Sequence, residues 1–248
     1  MVARFSLNPG FPKKTNDTEN PQNIVGGTAA YHGEFPFQII FLYQNRFRCG
    51  GFIVNKLYAL TAAHCPFTNN LEDFKVVAGE FVLSKNDSTE QIRKIVAVIK
   101  HNYSSSSFEN DLALLKVDPP FDFNKYVGPV QLPTQGQTTT GKCVVTGWGR
   151  LRYLGPISDT LQKVTLPVVS DEICRNSYGK NRVKDSMICA GYTEGGKGAC
   201  HGDSGGPLLC NGYVAGIVSW GRGCAFPNYP TVFTETAFFV DWIKKHIN

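Results

Sequence analysis

Three residue types that cooperate in nucleophilic catalysis occur in distinctive local sequences along this chain. Ser204 lies in the segment Gly-Asp-Ser-Gly-Gly-Pro, where small neighbours leave its hydroxyl accessible. Because serine is a poor nucleophile without a neighbouring base, a partner is needed. His64, in Thr-Ala-Ala-His-Cys, is the candidate base, and Asp111, in Asn-Asp-Leu-Ala-Leu-Leu, is the candidate orienting acid. Taken alone, His64 is also compatible with a buried structural residue and Asp111 with a loop cap.

In the order His, Asp, Ser, these motifs resemble those of the chymotrypsin-like (trypsin-fold) serine peptidases, over about residues 24–248. The resemblance implies that Ser204 attacks a substrate carbonyl, His64 transfers its proton and Asp111 stabilises the imidazolium. It also implies that the backbone N–H groups of Gly202 and Ser204 form an oxyanion hole, in which one donor contributes about 3 kcal/mol. The expected function is a secreted serine endopeptidase. The alternative is a catalytically silent binding or regulatory homologue, although such homologues usually lack a triad residue.

The start of this region resembles an activation site. Residues 1–23 are rich in Pro, Asn, Thr and Lys, and we interpret them as a pro-segment that precedes a peptidase domain at 24–248. The resemblance implies cleavage between Asn23 and Ile24, after which the Ile24 ammonium pairs with the carboxylate of Asp203. Because Asn23 stands where a trypsin-activated zymogen has Lys or Arg, we expect another activating protease, such as an asparagine-specific peptidase.

Phe47 occupies a position where many zymogens of the family carry a histidine that holds this aspartate before activation. A phenyl ring has no hydrogen-bonding group. The usual restraint on the proform is therefore expected to be absent.

By alignment to the family motif, four residues form the pocket for the substrate residue on the acyl side of the scissile bond. Gly198 is the floor and Ala199 follows it, whereas trypsin-like members have an aspartate at the floor that holds Lys or Arg. Gly221 leaves the entrance open and Thr231 partly fills the base. An uncharged pocket cannot pair a buried cation, so it predicts apolar or aromatic substrate residues, in the chymotrypsin-to-elastase range.

Ser219, Trp220 and Gly221 are expected to offer backbone hydrogen bonds to an extended substrate, as in strand addition. Core packing alone is an alternative role for Trp220. His201 is expected at the pocket rim as a solvated residue.

The cysteine count is even, with eight cysteines and no zinc-type spacing, which predicts disulfides and an oxidising, extracellular compartment. Eight cysteines allow 105 connectivities. The resemblance implies the pairs Cys49–Cys65, Cys143–Cys210, Cys174–Cys189 and Cys200–Cys224.

Acidic residues between positions 80 and 90 resemble the calcium loop of trypsins. Glu80, Asp87 and Glu90 would supply carboxylates, and Val82 and Lys85 would supply backbone carbonyls. A solvated acidic loop is the alternative. The chemistry itself requires no cofactor, so calcium would be structural.

Three Asn-X-Ser/Thr sequons mark candidate glycosylation sites at Asn16, Asn86 and Asn102.

Short β-rich runs alternate with turns, which predicts an all-β fold. The resemblance implies two packed six-stranded antiparallel Greek-key barrels, at about 24–130 and 131–248. Asn211-Gly212 between two apolar runs predicts a hairpin. Ser170 and the acidic residues after it predict a helix start, and apolar residues at helical spacing predict a C-terminal helix over 237–247.

Composition excludes several other functions. The net charge of +5 is spread along the chain without a basic block, and no apolar run approaches the roughly 20 residues of a membrane span. We therefore expect no nucleic-acid or membrane partner. The expected partners of this monomer are protein or peptide substrates, an activating protease and protein protease inhibitors.

Overall fold

The structure, a computed structural model, describes residues 24–247. The predicted pro-segment 1–23, including the sequon at Asn16 and the expected cleavage position at Asn23, lies outside the described residues. So does Asn248 at the end of the predicted peptidase domain.

After a short strand β1 (Thr28–Ala29), the first half of the chain forms a closed antiparallel barrel. Its strands are β2 (Gln38–Tyr43), β3 (Arg46–Ile53), β4 (Tyr58–Thr61), β5 (Phe74–Ala78), β6 (Gln91–Lys100) and β7 (Ala113–Asp118). Their spatial order is β2-β3-β4-β7-β6-β5. Large apolar side chains fill the interior, including Phe41, Phe52 and Leu60, all fully buried.

The second half forms an equivalent barrel. Its strands are β8 (Lys142–Gly147), β9 (Gln162–Val169), β10 (Met187–Ala190), β11 (Pro207–Cys210), β12 (Tyr213–Trp220) and β13 (Thr231–Glu235). The order β9-β10-β13-β12-β11-β8 closes through the pairing of β8 with β9, and β1 adds to the outside of β9. Asn211 and Gly212 connect β11 and β12 with φ of 50° and 86°, the left-handed conformation that the predicted hairpin turn requires.

In the described part of the chain, two α-helices complete the fold. Helix α1 (Asp171–Tyr178) begins at the predicted cap, where the Ser170 hydroxyl accepts the N–H of Ile173. Helix α2 (Val240–Ile247) begins three residues later than predicted, because Thr236–Phe238 forms a tighter 3-10 turn as the chain leaves β13. The all-β prediction of two six-stranded barrels and a C-terminal helix is confirmed.

The barrels share packing across their interface. Val214 and Ile217 of β12 and Ile243 of α2 join the core of the first barrel. Within residues 24–247 no helix has the length and apolar character needed to cross a membrane.

Candidate active site

Strands β4 and β7 bring His64 and Asp111 together. The strands pair at Thr61 and Ala113, so the residues just beyond β4 lie beside those just before β7. The His64 Nδ1 atom lies 2.8 Å from Asp111 Oδ2, and the His64 backbone N–H donates to Asp111 Oδ1 at 3.0 Å. With Nδ1 donating to the carboxylate, Nε2 is the nitrogen left to act as a base.

Asp111 is fully buried, and barrel two completes its hydrogen bonds. The Ser219 hydroxyl on β12 donates to Asp111 Oδ2 at 2.5 Å, and the Thr234 hydroxyl on β13 donates to the Asp111 backbone carbonyl at 2.9 Å. Sequence reasoning missed Thr234 and this second role of Ser219. The only sequence signal is a hydroxyl among apolar residues in each strand.

The Ser204 turn docks against barrel one. The Gly50 N–H on β3 donates to the Ser204 carbonyl at 2.8 Å. A Cβ on Gly205 would lie 2.1 Å from the Thr61 hydroxyl oxygen and 2.6 Å from the Gly50 carbonyl oxygen. Only glycine therefore fits at position 205, and this close approach sets Ser204 beside the end of β4 that leads to His64.

The backbone around Ser204 leaves two donors for a ligand. Gly202 has φ of 102°, and its N–H and that of Ser204 have no protein acceptor among residues 24–247. The neighbouring N–H groups of Asp203 and Gly205 are engaged by the carbonyls of Cys200 and Val218.

Asp203 points away from the cleft into barrel two, where it is fully buried. Its carboxylate accepts the N–H groups of Gly149 at 2.8 Å and Cys200 at 2.9 Å. Burial outweighs these donors and raises the pKa of Asp203 to about 7. Ile24 is also fully buried in this barrel, and the Val25 carbonyl accepts the N–H of Gly198 at 3.1 Å.

Phe47 packs against the Asp203 turn without a polar contact. Its ring meets Trp148 edge-on at 6.5 Å between centroids, and its Cε1 would lie 3.2 Å from a Cβ on Gly202.

A cavity of about 180 Å³ opens beside Ser204. Of the residues predicted for the substrate pocket, Ala199, Ser219, Trp220, Gly221 and Thr231 line it. Gly198 is buried behind them, and a Cβ on it would lie 3.5 Å from the Thr231 hydroxyl oxygen. His201 is exposed at the rim, and none of the lining residues is acidic.

Two further aromatic residues were missed by sequence reasoning. Phe108 lines the cavity and meets the His64 ring edge-on at 5.9 Å. The Tyr178 ring on α1 lies 4.8 Å from the Trp220 ring, centroid to centroid. Phe108 lies in a loop and Tyr178 at the end of α1, and no local sequence pattern indicates that either one approaches the cleft.

The four disulfides of the structure are Cys49–Cys65, Cys143–Cys210, Cys174–Cys189 and Cys200–Cys224, the same pairs that the resemblance implies. Two of them flank the site, since Cys65 follows His64 and Cys200 lines the cavity.

The acidic loop brings Glu80, Asp87 and Glu90 together, with one carboxylate oxygen of each within 4.8 Å of the others. Asp87 accepts the N–H of Val82 at 3.0 Å, and Glu90 accepts the N–H of Asp87 at 2.5 Å. Glu80 Oε1 is buried without a hydrogen-bond partner, and burial with the two neighbouring carboxylates raises the pKa of Glu80 to about 7. Three converging carboxylates and an unpartnered oxygen fit a divalent cation.

Val82 and Lys85 belong to the same loop, and the role of their carbonyl groups as ligands stays a prediction. The Val82 carbonyl accepts the N–H of Lys85 at 2.9 Å, and Lys85 is exposed. The sequon residues Asn86 and Asn102 are both exposed.

Comparisons with known proteins agree with this geometry. The family model described as Trypsin matches residues 24–243. Trypsin-1 of Astacus astacus is 48% identical over 237 residues, which cover 90% of this chain and 99% of the relative. Serine protease 1 of Rattus norvegicus is 39% identical (100% of this chain, 97% of the relative), and Trypsin I-P1 of Gallus gallus is 37% identical (98% and 96%). The chain belongs to the trypsin family of serine peptidases.

Proposed function

We propose that this chain is the proform of a secreted serine endopeptidase that is activated between Asn23 and Ile24 and cleaves after apolar or aromatic residues. Membership of the trypsin family carries the reaction class. The observation that carries the site is the 2.8 Å contact between His64 and a fully buried Asp111, beside the serine turn. The four disulfides support an extracellular location.

Acylation begins when the Ser204 hydroxyl attacks the substrate carbonyl and gives its proton to His64 Nε2. The carbonyl oxygen becomes an oxyanion, which the N–H groups of Gly202 and Ser204 stabilise. Asp111 stabilises the imidazolium through the Nδ1–H contact. When the tetrahedral intermediate collapses, the C–N bond breaks and His64 protonates the leaving amine.

Deacylation repeats these steps with water. His64 removes a proton from the water, and the hydroxide attacks the carbonyl of the ester that acylation formed between the substrate and Ser204. The C–O bond to Ser204 then breaks, and the Ser204 oxygen recovers its proton from His64.

The pocket supports an apolar preference although the similar relatives are named trypsins. The position where trypsin-like members have an aspartate is Gly198, and the nearest polar side-chain atom to a Cβ there is the Thr231 hydroxyl oxygen. A substrate Lys or Arg would lose its hydration without gaining a charge partner. An apolar side chain has no such cost.

Activation uses the buried carboxylate of Asp203. Its raised pKa shows that burial disfavours the charged form. The ammonium of a new Ile24 N-terminus compensates that charge and holds the turn that carries Gly202 and Ser204. Phe47 offers Asp203 no polar partner. The proform is therefore kept inactive only by the absence of the Ile24 ammonium.

Calcium is a structural component of this proposal. The carboxylates of Glu80, Asp87 and Glu90 would hold the ion, and its charge would offset their mutual repulsion.

The test is hydrolysis of a peptide library by protein cut before Ile24, compared with the uncut chain and a Ser204→Ala variant. We expect cleavage after Leu, Phe, Tyr or Met by the cut protein alone. Cleavage mainly after Lys or Arg would overturn the pocket assignment. Cut protein that neither cleaves peptides nor reacts with a fluorophosphonate would indicate the silent binding homologue instead.

A further inference from the structure

Two arginine side chains stack on the aromatic residues beside the substrate pocket. The Arg182 guanidinium carbon lies 5.4 Å from the centroid of the Trp220 ring. The Arg222 guanidinium carbon lies 4.6 Å from the centroid of Tyr229, and its Nη1 donates to the Tyr229 hydroxyl at 2.6 Å. Stacking of this kind holds a guanidinium in place while leaving its edge free to bind.

Tyr178 connects the two stacks. Its ring meets Trp220 at 4.8 Å and Tyr229 at 5.5 Å, and its hydroxyl accepts the Arg222 backbone N–H at 3.3 Å. Both arginine charges act on this phenol, where they oppose the larger effect of burial, which raises the pKa of Tyr178. The two guanidinium groups therefore stack on two rings that both contact Tyr178.

Neither charge is neutralised by a neighbour. Among residues 24–247, no carboxylate oxygen lies within 4.0 Å of Arg182 or Arg222, whereas the nearby Arg175 pairs with both Asp171 and Asp185. Both arginines are exposed. The surface at the outer end of Trp220 thus carries two free positive charges.

A substrate strand would pass this surface. Trp220 and Gly221 line the cavity, and Arg222 follows them directly. An extended chain advances about 3.3 Å per residue, so the third and fourth residues before the scissile bond lie about 7–10 Å from the residue in the pocket. That distance carries them past Gly221 toward the two guanidinium groups.

We propose that Arg182 and Arg222 select substrates with a carboxylate side chain three or four residues before the scissile bond. This inference rests on the proposed function, since it concerns substrates of the same site. The guanidinium edges match a carboxylate geometrically and can bind it through two N–H groups. Because both side chains are already held by stacking, little rotamer entropy is lost on binding.

The test compares peptides that differ only in Glu, Gln or Lys at the third or the fourth position. They carry the pocket residue selected by the library, and a fluorophosphonate titration of the cut enzyme counts active sites. We expect kcat/KM for Glu to exceed that for Gln by about fivefold, in the range of exposed ion pairs, with Lys below Gln. The ratio of kcat/KM for the Glu peptide to that for the Gln peptide should fall toward one in about 1 M NaCl, where the screening length is about 3 Å.

The variant Arg182→Gln/Arg222→Gln should lose the preference but react with the fluorophosphonate at the wild-type rate. Lys244→Gln/Lys245→Gln is the matched control, because it removes the same charge from exposed positions on α2. If the fluorophosphonate titration finds active sites in the cut wild type, but the unlabelled enzyme cleaves the Glu and Gln peptides at equal rates, this inference alone is overturned. Failure of the cut wild type to react with the fluorophosphonate removes the proposed function, and this inference with it.

Discussion

The Asp111 carboxylate is held in place by both barrels, and the Ser219 hydroxyl is the contact that the triad motifs do not contain. Ser219→Ala removes one hydrogen bond to a charged group, which contributes about 1.5 kcal/mol or more. We expect kcat to fall about tenfold with KM nearly unchanged, because the imidazolium forms only during the reaction. Steady-state kinetics on one peptide substrate measure this. A rise in KM at constant kcat would assign Ser219 to substrate binding alone.

In the proposed pocket, Gly198 is the position at which an acidic side chain would introduce a charge. A Cβ at position 198 would meet the Thr231 hydroxyl oxygen at an ordinary 3.5 Å and the Ala225 Cβ at a tight 3.3 Å, so Ala225 must shift by a few tenths of an ångström to admit a side chain. Gly198→Asp should increase kcat/KM for Lys relative to Phe substrates by at least about 100-fold, since a buried ion pair replaces an uncompensated cation. Gly198→Asn is the control of matched size and should leave Phe preferred. An unchanged ratio in the aspartate variant would show that another residue sets the preference.

Ionisation of Glu235, at the end of β13, makes the free energy of unfolding depend on pH. Burial, with a smaller effect of Asp171, raises the pKa of Glu235 to about 7 from 4.5. The folded protein thus binds an extra proton between these values, and stability is lost as pH rises through about 7. Glu235→Gln should stabilise the protein by about 1 kcal/mol at pH 8, after allowance for solvent screening, and by less at pH 5.

Urea unfolding in a Ser204→Ala background, which prevents autolysis, measures the Glu235→Gln effect. Glu72→Gln at an exposed position is the control. A gain that is equal at both pH values would show that titration of Glu235 is not its cause.

At the level of elements, the turn that carries Ser204 packs closely against barrel one because Gly205 has no side chain. Gly205 and Gly212 both have positive φ, of 81° and 86°, but a Cβ on Gly205 would lie 2.1 Å from the Thr61 hydroxyl oxygen while one on Gly212 would meet nothing within 4 Å. Gly212→Ala should lower the free energy of unfolding by about 1 kcal/mol, which is the cost of placing a Cβ on a backbone with positive φ. Gly205→Ala should cost at least about 3 kcal/mol and abolish activity, because the turn must move.

Differential scanning calorimetry and fluorophosphonate labelling of both variants test this comparison. Equal melting temperatures for Gly205→Ala and Gly212→Ala would show that the turn adapts without cost.

Local motifs explain which elements could be predicted. His64, Asp111 and Ser204 each lie in a contiguous motif at a strand end or a turn, and the Asn211-Gly212 hairpin is encoded by two adjacent residues. The contacts of Ser219 and Thr234 with Asp111 join residues 108 and 123 positions apart, so no local pattern reports them. The start of α2 was predicted too early because helical spacing does not distinguish a 3-10 turn from an α-helix.

At the scale of the whole molecule, the acidic loop links the two barrels. The backbone of Leu83 donates to the Asp159 carbonyl at 2.8 Å, and Ser84 donates to the Asp159 carboxylate through its N–H at 2.9 Å and its hydroxyl at 2.7 Å. Asp159 precedes β9 of barrel two. A cation held by Glu80 and its neighbours should therefore stabilise both barrels together.

We expect calcium at about 100 times its dissociation constant to add about 2.7 kcal/mol to the free energy of unfolding. For a chain of this length, that raises the melting temperature by about 5–10 °C. In calorimetry of the cut Ser204→Ala protein, calcium should shift a single transition. Glu80→Gln should abolish the shift, and Glu72→Gln should keep it. Terbium luminescence should report binding that Glu80→Gln weakens.

The variant Asp159→Ala leaves the ion site intact but weakens its link to barrel two, so it tests whether that link transmits the stabilisation by calcium. Because Glu80, Asp87 and Glu90 are intact in this variant, terbium should still bind. The variant removes the two bonds from Ser84 but keeps the bond from Leu83 to the backbone carbonyl of residue 159. We expect one transition, whose melting temperature rises less with calcium than that of the wild type, because part of the link between the ion site and barrel two is lost. A melting temperature that is unchanged in about 10 mM calcium, above the roughly 10⁻⁴–10⁻³ M dissociation constants of weak extracellular sites, would show that the carboxylates form only a solvated loop.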